Sequence, residues 1–536
     1  MEQIQKKTPS STRTANRLKA FLWNGFLLTA VSLLMRFVGM SFQLFITEHA
    51  GSEAVGLYTV IGSVYGFAVT LATSGIQLGA TRMISEALGR DDLYEAKEAR
   101  RVCLSYAIRF GLLATLLLFF GARWISEALL KDPRAIRSLR LLSLSLLPLS
   151  VSSALNGYFT AVRKVYKNAF CSLLEQGVRI AITSLLLLYI LPKGIESACI
   201  ALVLGSVLSE LLATLILGGL FLWEHRHPVK ESGTVSREEL RTRLRGIALP
   251  VAFSAYARSG LLSIEHMLIP IGLTSFFGDR SAALSAFGIL QGISLPILLF
   301  PSALLSSYAG LLIPEIAECR VRGQAEKVQK IVTAIFRGTL IFAVGVSGIM
   351  LCFSYEIGAV IGKGTEASEY LRLLAPLIPV MYLDTAADSI LKGHGEQVYC
   401  MRVNILDSLL SVLLVWLLLP SLGIKGYILV IYIAELINAS LSIARLLKVT
   451  DMKPALLKIL FVPLFSIIGA TAFVRLLASF SAQFAFPRFE GASALILHVL
   501  FSVVSYLLLL LLLGGIKREE TTRLLRKLKR PASYSA

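Results

Sequence analysis

The amino-acid sequence predicts an all-α protein that crosses a membrane about fourteen times, and three observations carry that prediction. Of the 536 residues, 55% are hydrophobic and only 16% are charged, with a mean hydropathy of +0.71, which is far more apolar than a soluble core requires. Apolar runs long enough to span a hydrocarbon layer of roughly 30 Å recur along the whole chain. The first part of the chain also resembles a later part at a constant offset, which indicates an internal repeat.

The apolar runs define the predicted helices. They cover residues 20–47, 55–80, 102–121, 137–161, 168–191, 195–223, 247–277, 283–312, 331–353, 370–391, 401–420, 424–447, 455–478 and 492–515. Arg and Lys residues are concentrated in alternate gaps, on the side that holds both termini. The positive-inside rule therefore predicts cytoplasmic termini.

The repeat has an offset of about 232 residues without gaps. It pairs Ala54-Val55-Gly56-Leu57 with Ala286-Phe287-Gly288-Ile289, Leu139-Arg140-Leu141-Leu142 with Leu371-Arg372-Leu373-Leu374, and Glu175 with Asp407. A single offset over such a length predicts two homologous halves in the same membrane orientation. The predicted domains are a basic tail (1–19), a first lobe of helices 1–6 (20–223), a cytoplasmic linker (224–246), a second lobe of helices 7–12 (247–449), helices 13–14 (450–515) and a basic tail (516–536).

Composition and motifs exclude several functions. The net charge of +19 comes from bases in the gaps and tails, so membrane topology explains it and no nucleic-acid partner is expected. The six cysteines have no metal or disulfide spacing, and His225 and His227 have no accompanying ligands, so no metal is expected. Neither 362–365 nor 393–395 matches a nucleotide-binding loop, and no cofactor is expected. Short outer gaps argue against an enzyme that builds polysaccharide outside the membrane.

The stretch 54–101 joins a glycine-rich apolar run to a charged segment. Gly62/Gly66 and Gly75/Gly79 have the small-xxx-small spacing that allows close helix packing in lipid. The charged segment, which includes Arg82 and Arg90, marks a membrane surface, where the charges are explained by topology or attract an anionic head group. Leu93 and Ala96 among these charges predict a short surface helix.

Charged residues inside the predicted spans are candidates for function, because burying them in lipid costs at least about 2.5 kcal/mol each. The first helix carries Arg36 and, two turns later, Gln43; the seventh carries Arg258 and Glu265 at that spacing, followed by His266. Arginine can donate two hydrogen bonds to a pyrophosphate. The alternatives are salt bridges from the arginines to Glu265 and a packed, hydrogen-bonded histidine at 266 instead of a proton sensor.

Other charges indicate structural pairs or ion coupling. Glu175 and Arg179 are one helical turn apart, as are Asp388 and Lys392, and both spacings suit i,i+4 ion pairs. Glu210 and Asp407 are isolated acids that suit a proton or Na⁺ and are candidates for ion coupling. Pro296 and Pro301 predict a bend in the eighth helix.

The sequence resembles the polysaccharide-transporter branch of the multidrug/oligosaccharidyl-lipid/polysaccharide exporter superfamily, particularly the stage V sporulation protein B group. The resemblance rests on Gly56-Leu57-Tyr58, on the Thr73-Ser74-Gly75 turn, on the segment 82–92, and on the number of helices. It implies two six-helix lobes around a cavity built largely from helices one, two, seven and eight, with a groove for a lipid tail at 455–515. Arg36-Phe37-Val38-Gly39 is similar to the Arg-x-x-Gly of lipid II flippases, which implies a substrate role for Arg36, although their later Arg-Asp pair is Phe42-Gln43 here.

These observations predict a flippase of the cell membrane that moves an undecaprenyl-linked oligosaccharide or peptidoglycan precursor outward by alternating access. The residues expected to line the cavity are Arg36, Gln43, Arg258, Glu265 and His266, with Arg82 and Arg90 at its mouth. The expected partners are a polyprenyl-pyrophosphate-linked sugar, membrane lipids and cell-wall synthases. The alternatives are a cation-coupled multidrug exporter of the same superfamily and a non-transporting scaffold in envelope or spore-cortex assembly.

Overall fold

The architecture is that of a computed structural model, and every regular element in its described part is helical. It describes residues 34–90, 92–190, 194–224, 236–305, 316, 319–320, 322–361, 364–452, 456–483 and 492–515. Within these ranges there is no β-strand. The prediction of an all-α membrane protein is therefore confirmed.

The main α-helices of the described residues are numbered here in chain order. They are α1 (34–50), α2 (Ser52–Thr73), α3 (Ile76–Gly89), α4 (Leu93–Trp124), α5 (Ala135–Ala161), α6 (Val165–Ile190), α7 (Ile195–Glu224), α8 (Arg237–Phe277), α9 (Arg280–Ile289), α10 (Leu295–Leu299), α11 (Ala325–Val360), α12 (Gly364–Leu374), α13 (Ile378–Gly393), α14 (Gln397–Thr450), α15 (Leu456–Gln483) and α16 (Ala492–Leu512).

Twelve segments of the described chain are long and apolar enough to cross a membrane. The longest, α14, has 54 residues but is a helical hairpin, because Gly423 has φ 58° and ψ −139°. Its two arms lie side by side, since the Tyr399 hydroxyl donates to the Leu441 carbonyl at 3.2 Å. Counting both arms, and adding the predicted first helix of which 34–50 is described, confirms about fourteen spans.

The second predicted helix, 55–80, is two helices in the structure. Gly75 takes φ 76°, a left-handed conformation that favours glycine, and separates α2 from α3. The same glycine lies against the backbone of Ala248 in α8, and Gly79 lies against Leu244. A side chain at Gly62 or Gly66, in contrast, would meet no atom within 4 Å, so only the second pair of the predicted spacing packs closely.

The sequence predicts a separate surface helix in the charged segment after α3. This prediction is wrong, because the segment forms the first turns of α4. Asp92 caps α4 by accepting a hydrogen bond from the backbone N–H of Glu95 at 2.7 Å. Ala96 is 9% exposed because α4 continues from this cap through the membrane without interruption. Its early acids therefore pack against neighbouring helices.

The structure bears on the predicted linker and on the predicted bend. α8 begins at Arg237, where Ser236 caps it, so residues 237–246 of the predicted linker are helical; His225 and His227 lie outside the described residues. The eighth span is interrupted by a π-helical turn at Leu290–Ser294, with turn conformation at Phe300 and Pro301. The regular helix is therefore interrupted near the two prolines, and the predicted bend itself stays a prediction.

Contacts divide the chain into two compact units. The first contains the described residues of Met1–Ser41, Pro296–Cys400 and Ala439–Ala536, and the second contains those of Phe42–Leu295 and Met401–Asn438. The repeat assigns α8 to the second lobe. By its contacts, however, α8 belongs to the same unit as α2, α3 and α4. The lobe boundaries derived from the repeat state which residues of the two halves are equivalent, and they stay a prediction.

In the first unit, the two C-terminal helices pack on α11. Gly345 lies against the ring of Tyr506 and Gly348 against Ile467, while the Tyr506 hydroxyl donates to the Ile341 carbonyl at 2.7 Å. The core formed there includes Val344, Leu510 and other buried apolar side chains. The close glycine contacts fix α15 and α16 against the ninth predicted span.

Candidate functional site

The polar residues of α8 lie in the second unit and along one helical stripe. Arg258 is exposed, whereas Glu265 and His266 are half-buried. Seven residues, about two turns, separate Arg258 from Glu265, so the two project from the same face. Arg258 has no ion pair with any described residue, and the predicted alternative of a salt bridge between Arg258 and Glu265 is absent from the described part of the chain.

Asp407, from the first arm of α14, faces this stripe. Its charge interacts with the charges of Glu265 and of Arg258. Asp407 is half-buried, and no group of three metal-ligating residues occurs among the described residues. The arrangement brings two carboxylates and one guanidinium together, which leaves one negative charge in excess when both acids are ionised.

An aromatic and amide layer borders the two acids. The buried Tyr427 interacts with the charge of Glu265 and accepts a hydrogen bond from the Gln291 amide at 3.3 Å. The ring of His266 meets that of Phe287 edge-on, with centroids 5.9 Å apart. His266 therefore packs against an aromatic ring, which supports the packing interpretation of this histidine.

Gln43 lies at the π-helical turn of the eighth span. A Cβ atom added at Gly292 would be 3.4 Å from the amide nitrogen of Gln43, so the two residues lie close together. π-Helical turns occur frequently at functional sites because they interrupt the regular ladder of backbone hydrogen bonds. Gln43 and Gln291 thus place two amide groups at this turn within the second unit.

Arg36 lies in the part of α1 that belongs to the first unit. Its side chain is exposed, and the neighbouring Phe37 meets Phe300 edge-on with ring centroids 6.2 Å apart. The cavity role of Arg36 stays a prediction.

Glu210 belongs to a different polar cluster of the second unit, formed by α2, α5, α6 and α7. It is 7% exposed and accepts a hydrogen bond from the Thr214 hydroxyl at 3.4 Å. The predicted pair of Glu175 and Arg179 forms, and both charges interact with Glu210. The ion-coupling role of Glu210 remains a prediction, and its neighbourhood again contains two acids and one arginine.

Arg82 and Arg90, the predicted mouth residues, are both paired with acids. Arg82 binds Glu86 at 2.8 Å and Arg90 binds Glu95 at 2.9 Å, while the arginine side chains stay 62% and 54% exposed. Arg243 of α8 joins the same acids, binding Glu95 at 3.0 Å and also Glu86. These residues form an ion-pair network that connects α3, α4 and the start of α8, and the predicted topology places it on the cytoplasmic side.

Arg243→Ala is expected to lower the stability of the protein by about 1 kcal/mol, because the guanidinium bridges two acids, one of which is nearly buried. Arg241→Ala is the matched control, since Arg241 binds only the exposed Glu238 at 3.2 Å. Thermal unfolding in detergent measures both. Equal melting temperatures for the two variants would contradict a stabilising role of the network.

At the opposite end of α2, this helix crosses α9 at two glycines that the repeat makes equivalent. A methyl group on Gly56 would overlap the carbonyl oxygen of Leu284, and one on Gly288 would overlap that of Ser52. Residues 56 and 288, like residues 52 and 284, are separated by the repeat offset. The hydroxyls of Ser52 and Ser285 are hydrogen-bonded at 2.6 Å. We call this crossing the outer contact, since the predicted topology places it on the extracytoplasmic side.

Ion pairs surround the outer contact. Arg134 binds Glu53 at 2.9 Å and Asp132 at 2.8 Å, and Arg280 at the start of α9 binds Asp132 at 3.1 Å. Asp132 is 2% exposed; burial alone would raise its pKa, but the hydrogen bonds and charges of Arg134 and Arg280 outweigh burial and hold the pKa below its usual range. The sequence alone gave no signal for this cluster, because its partners come from three distant segments.

The lowered pKa of Asp132 predicts how stability depends on pH. A carboxyl group with a lower pKa in the folded state stabilises that state above its unfolded pKa of about 3.9, and the contribution is lost as the pH falls through the folded pKa. Asp132→Asn is therefore expected to destabilise the protein at pH 7 and to match the wild type in strong acid. Thermal unfolding of both proteins across this range is the measurement, and a constant difference at all pH values would contradict the prediction.

Comparison with known proteins places the chain in a family. The family model described as "Polysaccharide biosynthesis protein" matches residues 21–319, more than half of the chain. The chain belongs to the polysaccharide biosynthesis protein family. A second model, MatE, matches residues 267–417, and together the two place this family member in the polysaccharide-transporter branch of the multidrug/oligosaccharidyl-lipid/polysaccharide exporter superfamily, as predicted.

Curated relatives of this family member come from Bacillus subtilis (strain 168). Stage V sporulation protein B is 25% identical over 515 residues, which cover 94% of this chain and 98% of that protein. Lipid II flippase MurJ is 20% identical over 454 residues, which cover 78% of this chain and 82% of that protein.

Solved structures with low identity share the fold. The structure of "Lipid II flippase MurJ, inward closed conformation" matches with a TM-score of 0.68 at 13% identity, covering 94% of this chain and all of that one. An inward-facing multidrug resistance MATE transporter matches with a TM-score of 0.60 at 15% identity, covering 79% of this chain and 96% of that one. The flippase structure therefore covers more of this chain than the MATE transporter does.

Proposed function

We propose that this polysaccharide biosynthesis family member is a membrane flippase, not an enzyme, and that it moves a lipid-linked sugar across the membrane by alternating access. The observation that carries the proposal is Arg258, an exposed arginine of a membrane-spanning helix without an ion pair in the described part of the chain. A guanidinium within a membrane-spanning helix is costly unless a partner or a ligand balances its charge, and here Asp407 interacts with that charge without forming a direct ion pair. The relatives named for lipid II flipping and for sporulation support a lipid-linked sugar as that ligand.

The proposed role of Arg258 is to bind the pyrophosphate of an undecaprenyl-linked oligosaccharide or peptidoglycan precursor. A guanidinium donates hydrogen bonds to phosphate oxygens in a planar fork, and such charge-assisted bonds are stronger than neutral ones. The polyprenyl tail then stays in lipid while the sugar crosses. Arg36 is assigned a contact with the substrate on the sequence resemblance alone.

The outer contact supports alternating access as the proposed mechanism. Two helices that cross backbone to backbone at glycines exclude water and solutes at that end, and transport requires such a contact to open and reform. The glycines are equivalent in the repeat, so opening separates two corresponding parts of the two halves. We propose that the pairs around Glu53 and Asp132 break in the same step.

Glu265 and Asp407 are the proposed coupling residues. The charge of Asp407 interacts with those of Glu265 and Arg258, so anionic substrate bound to Arg258 removes a positive charge that stabilises the ionised form of Asp407. A proton or a Na⁺ ion then restores neutrality, which links ion binding to substrate binding. Glu210, with its own cluster, is the second candidate for coupling.

The test is flipping of a fluorescent polyprenyl-pyrophosphoryl sugar in liposomes that contain the purified protein. Arg258→Ala is expected to reduce the initial rate by about ten-fold or more, since hydrogen bonds to charged groups contribute about 1.5–3 kcal/mol. Arg258→Lys should retain part of the activity, because the charge stays but the fork is lost. Arg123→Ala, which removes an exposed arginine paired with Glu127 at 3.0 Å, is the control.

An unchanged rate for Arg258→Ala would overturn the proposed role of this arginine. A second candidate function, export of cationic drugs, is favoured by the acids at 210, 265 and 407 and by the MatE match. Transport of a cationic dye without sugar flipping in the same liposomes would favour it. Absence of both activities, with specific capture of cell-wall synthases, would favour a scaffold.

A further inference from the structure

The first unit contains a cavity of about 460 Å³ between α11, the junction of α12 and α13, and α15. This volume lies within the range of roughly 300–1,000 Å³ that is typical of ligand sites. Its walls include Val344, Leu351, Pro379, Leu464 and Ile468. The polar stripe of α8, in contrast, belongs to the second unit.

The cavity walls offer a ligand almost no polar group. The Ser347 hydroxyl donates to the Ala375 carbonyl at 2.7 Å, and the Thr471 hydroxyl donates to the Ile467 carbonyl at 2.8 Å. Water in such a cavity would lack hydrogen-bond partners, and apolar cavities of this kind take up apolar molecules instead. The interior therefore suits a hydrocarbon chain.

The cavity opens toward the lipid. Of its wall residues, Leu351, Leu464 and Ile468 are 39%, 38% and 55% exposed, and all three lie in membrane-spanning helices. Side chains that are exposed at this depth contact lipid instead of water. A lipid chain can therefore enter from the side.

Charged residues form a rim one helical turn beyond the cavity. Arg475 follows Thr471 by four residues on α15, Glu356 follows Cys352 by four on α11, and Arg372 precedes Pro376 by four on α12. Contacts show that the three meet at one end: Arg475 donates to the Cys352 carbonyl, and Arg372 donates to the Tyr355 hydroxyl at 3.1 Å. The predicted topology places this end at the extracytoplasmic leaflet.

The rim has two arginines and one acid. The guanidinium of Arg475 is 4.0 Å from the Glu356 carboxylate, and the two side chains are 57% and 46% exposed. The acids of α12, Glu366 and Glu369, lie farther from Pro376 along that helix than Arg372 does. The charge nearest the cavity is therefore net positive, which complements an anionic head group.

We propose that this cavity and its rim bind one anionic phospholipid, with an acyl chain in the cavity and the phosphate at Arg475 and Arg372. An apolar cavity that opens to lipid, with two arginines one turn beyond it, matches the division of a phospholipid into chain and head. Charge-assisted hydrogen bonds from guanidinium to phosphate select the anionic head. The site lies against α15, one of the two helices beyond the twelve-helix repeat, so the bound lipid stabilises the packing of α15 on α11.

The experiment measures lipid retained by the purified full-length protein after delipidation, using native mass spectrometry. Phosphatidylglycerol and phosphatidylcholine with identical chains are the probes. The wild type is expected to retain one phosphatidylglycerol about ten-fold more tightly than phosphatidylcholine. Arg475→Gln should lower retention of phosphatidylglycerol to that of phosphatidylcholine, and it leaves the cavity unchanged.

Two tryptophan substitutions on α15 test the cavity itself. Leu464→Trp fills it and should reduce retention of both lipids, whereas Leu477→Trp, at a residue that is 47% exposed and outside the cavity wall, should behave as the wild type. Equal retention of the two lipids by the wild type, or equal effects of the two tryptophans, would overturn the proposal. Displacement of phosphatidylglycerol by a polyprenyl phosphate at equal concentration would overturn it in favour of the substrate's own chain.

Discussion

Gly288→Ala is expected to shift the protein away from the state in which the outer contact is closed. The added methyl group would overlap the carbonyl oxygen of Ser52, and because backbone cannot rotate away, the two helices have to separate. Overpacking of this kind costs about 1–3 kcal/mol, which changes the ratio of closed to open states by roughly five- to 150-fold. Modification of Ser285→Cys by an impermeant maleimide, in a background without other cysteines, measures the opening.

Two further glycine variants make this test specific. Gly56→Ala should produce a similar opening, because its methyl group would overlap the carbonyl of Leu284 in the equivalent way. Gly62→Ala, two turns later on α2 in a position without atoms within 4 Å, should label at the wild-type rate. If Gly288→Ala and Gly62→Ala label alike, the glycine crossing does not control access at this end.

Glu265→Gln combined with Asp407→Asn is expected to remove the dependence of transport on an ion gradient. With both carboxylates neutralised, the site has no excess negative charge to attract a proton or Na⁺, so an imposed gradient no longer drives the cycle. We expect the gradient-driven rate to fall by about ten-fold or more, since one charge at this depth corresponds to at least about 2.5 kcal/mol. Flipping under separate Na⁺ and pH gradients distinguishes the two ions.

The matched control for this prediction is Asp388→Asn. Asp388 belongs to the predicted pair with Lys392, which the structure contains, and its charge is already balanced. Its loss should leave the response to both gradients intact. A double variant of Glu265 and Asp407 that still responds to either gradient would move the coupling role to Glu210.

The sequence was sufficient for features that depend on neighbours along the chain. The apolar spans and the ion pairs of Glu175 with Arg179 and of Asp388 with Lys392 all follow from spacing within one helix. The charged segment after α3 was interpreted wrongly as a surface helix, because charge marks the membrane boundary but does not end a helix. Only capping by Asp92 shows that α4 starts there.

Features that depend on which helices meet were beyond the sequence. The repeat showed that Gly56 and Gly288 are equivalent, but equivalence does not imply contact. Glu265 and Asp407 face each other because α8 packs beside α14, and the sequence does not show which helices pack together. For the cavity beside α15, the family resemblance implied a lipid-tail groove at 455–515, but the residues themselves gave no signal, since apolar residues that line a cavity have the same composition as those that simply face lipid.

The outer contact also bears on how the chain arose. In a homodimer, a contact of this kind is isologous. Residue 56 of one copy would meet residue 52 of the other, because residue 52 is the counterpart of residue 284. Every substitution would then appear twice. Fusion into one polypeptide removes that restriction: position 53 is a glutamate that binds Arg134, while its counterpart, position 285, is a serine that binds Ser52. The backbone crossing relates corresponding residues of the two halves, whereas the side chains around it differ, so the two halves hold the contact closed by different bonds.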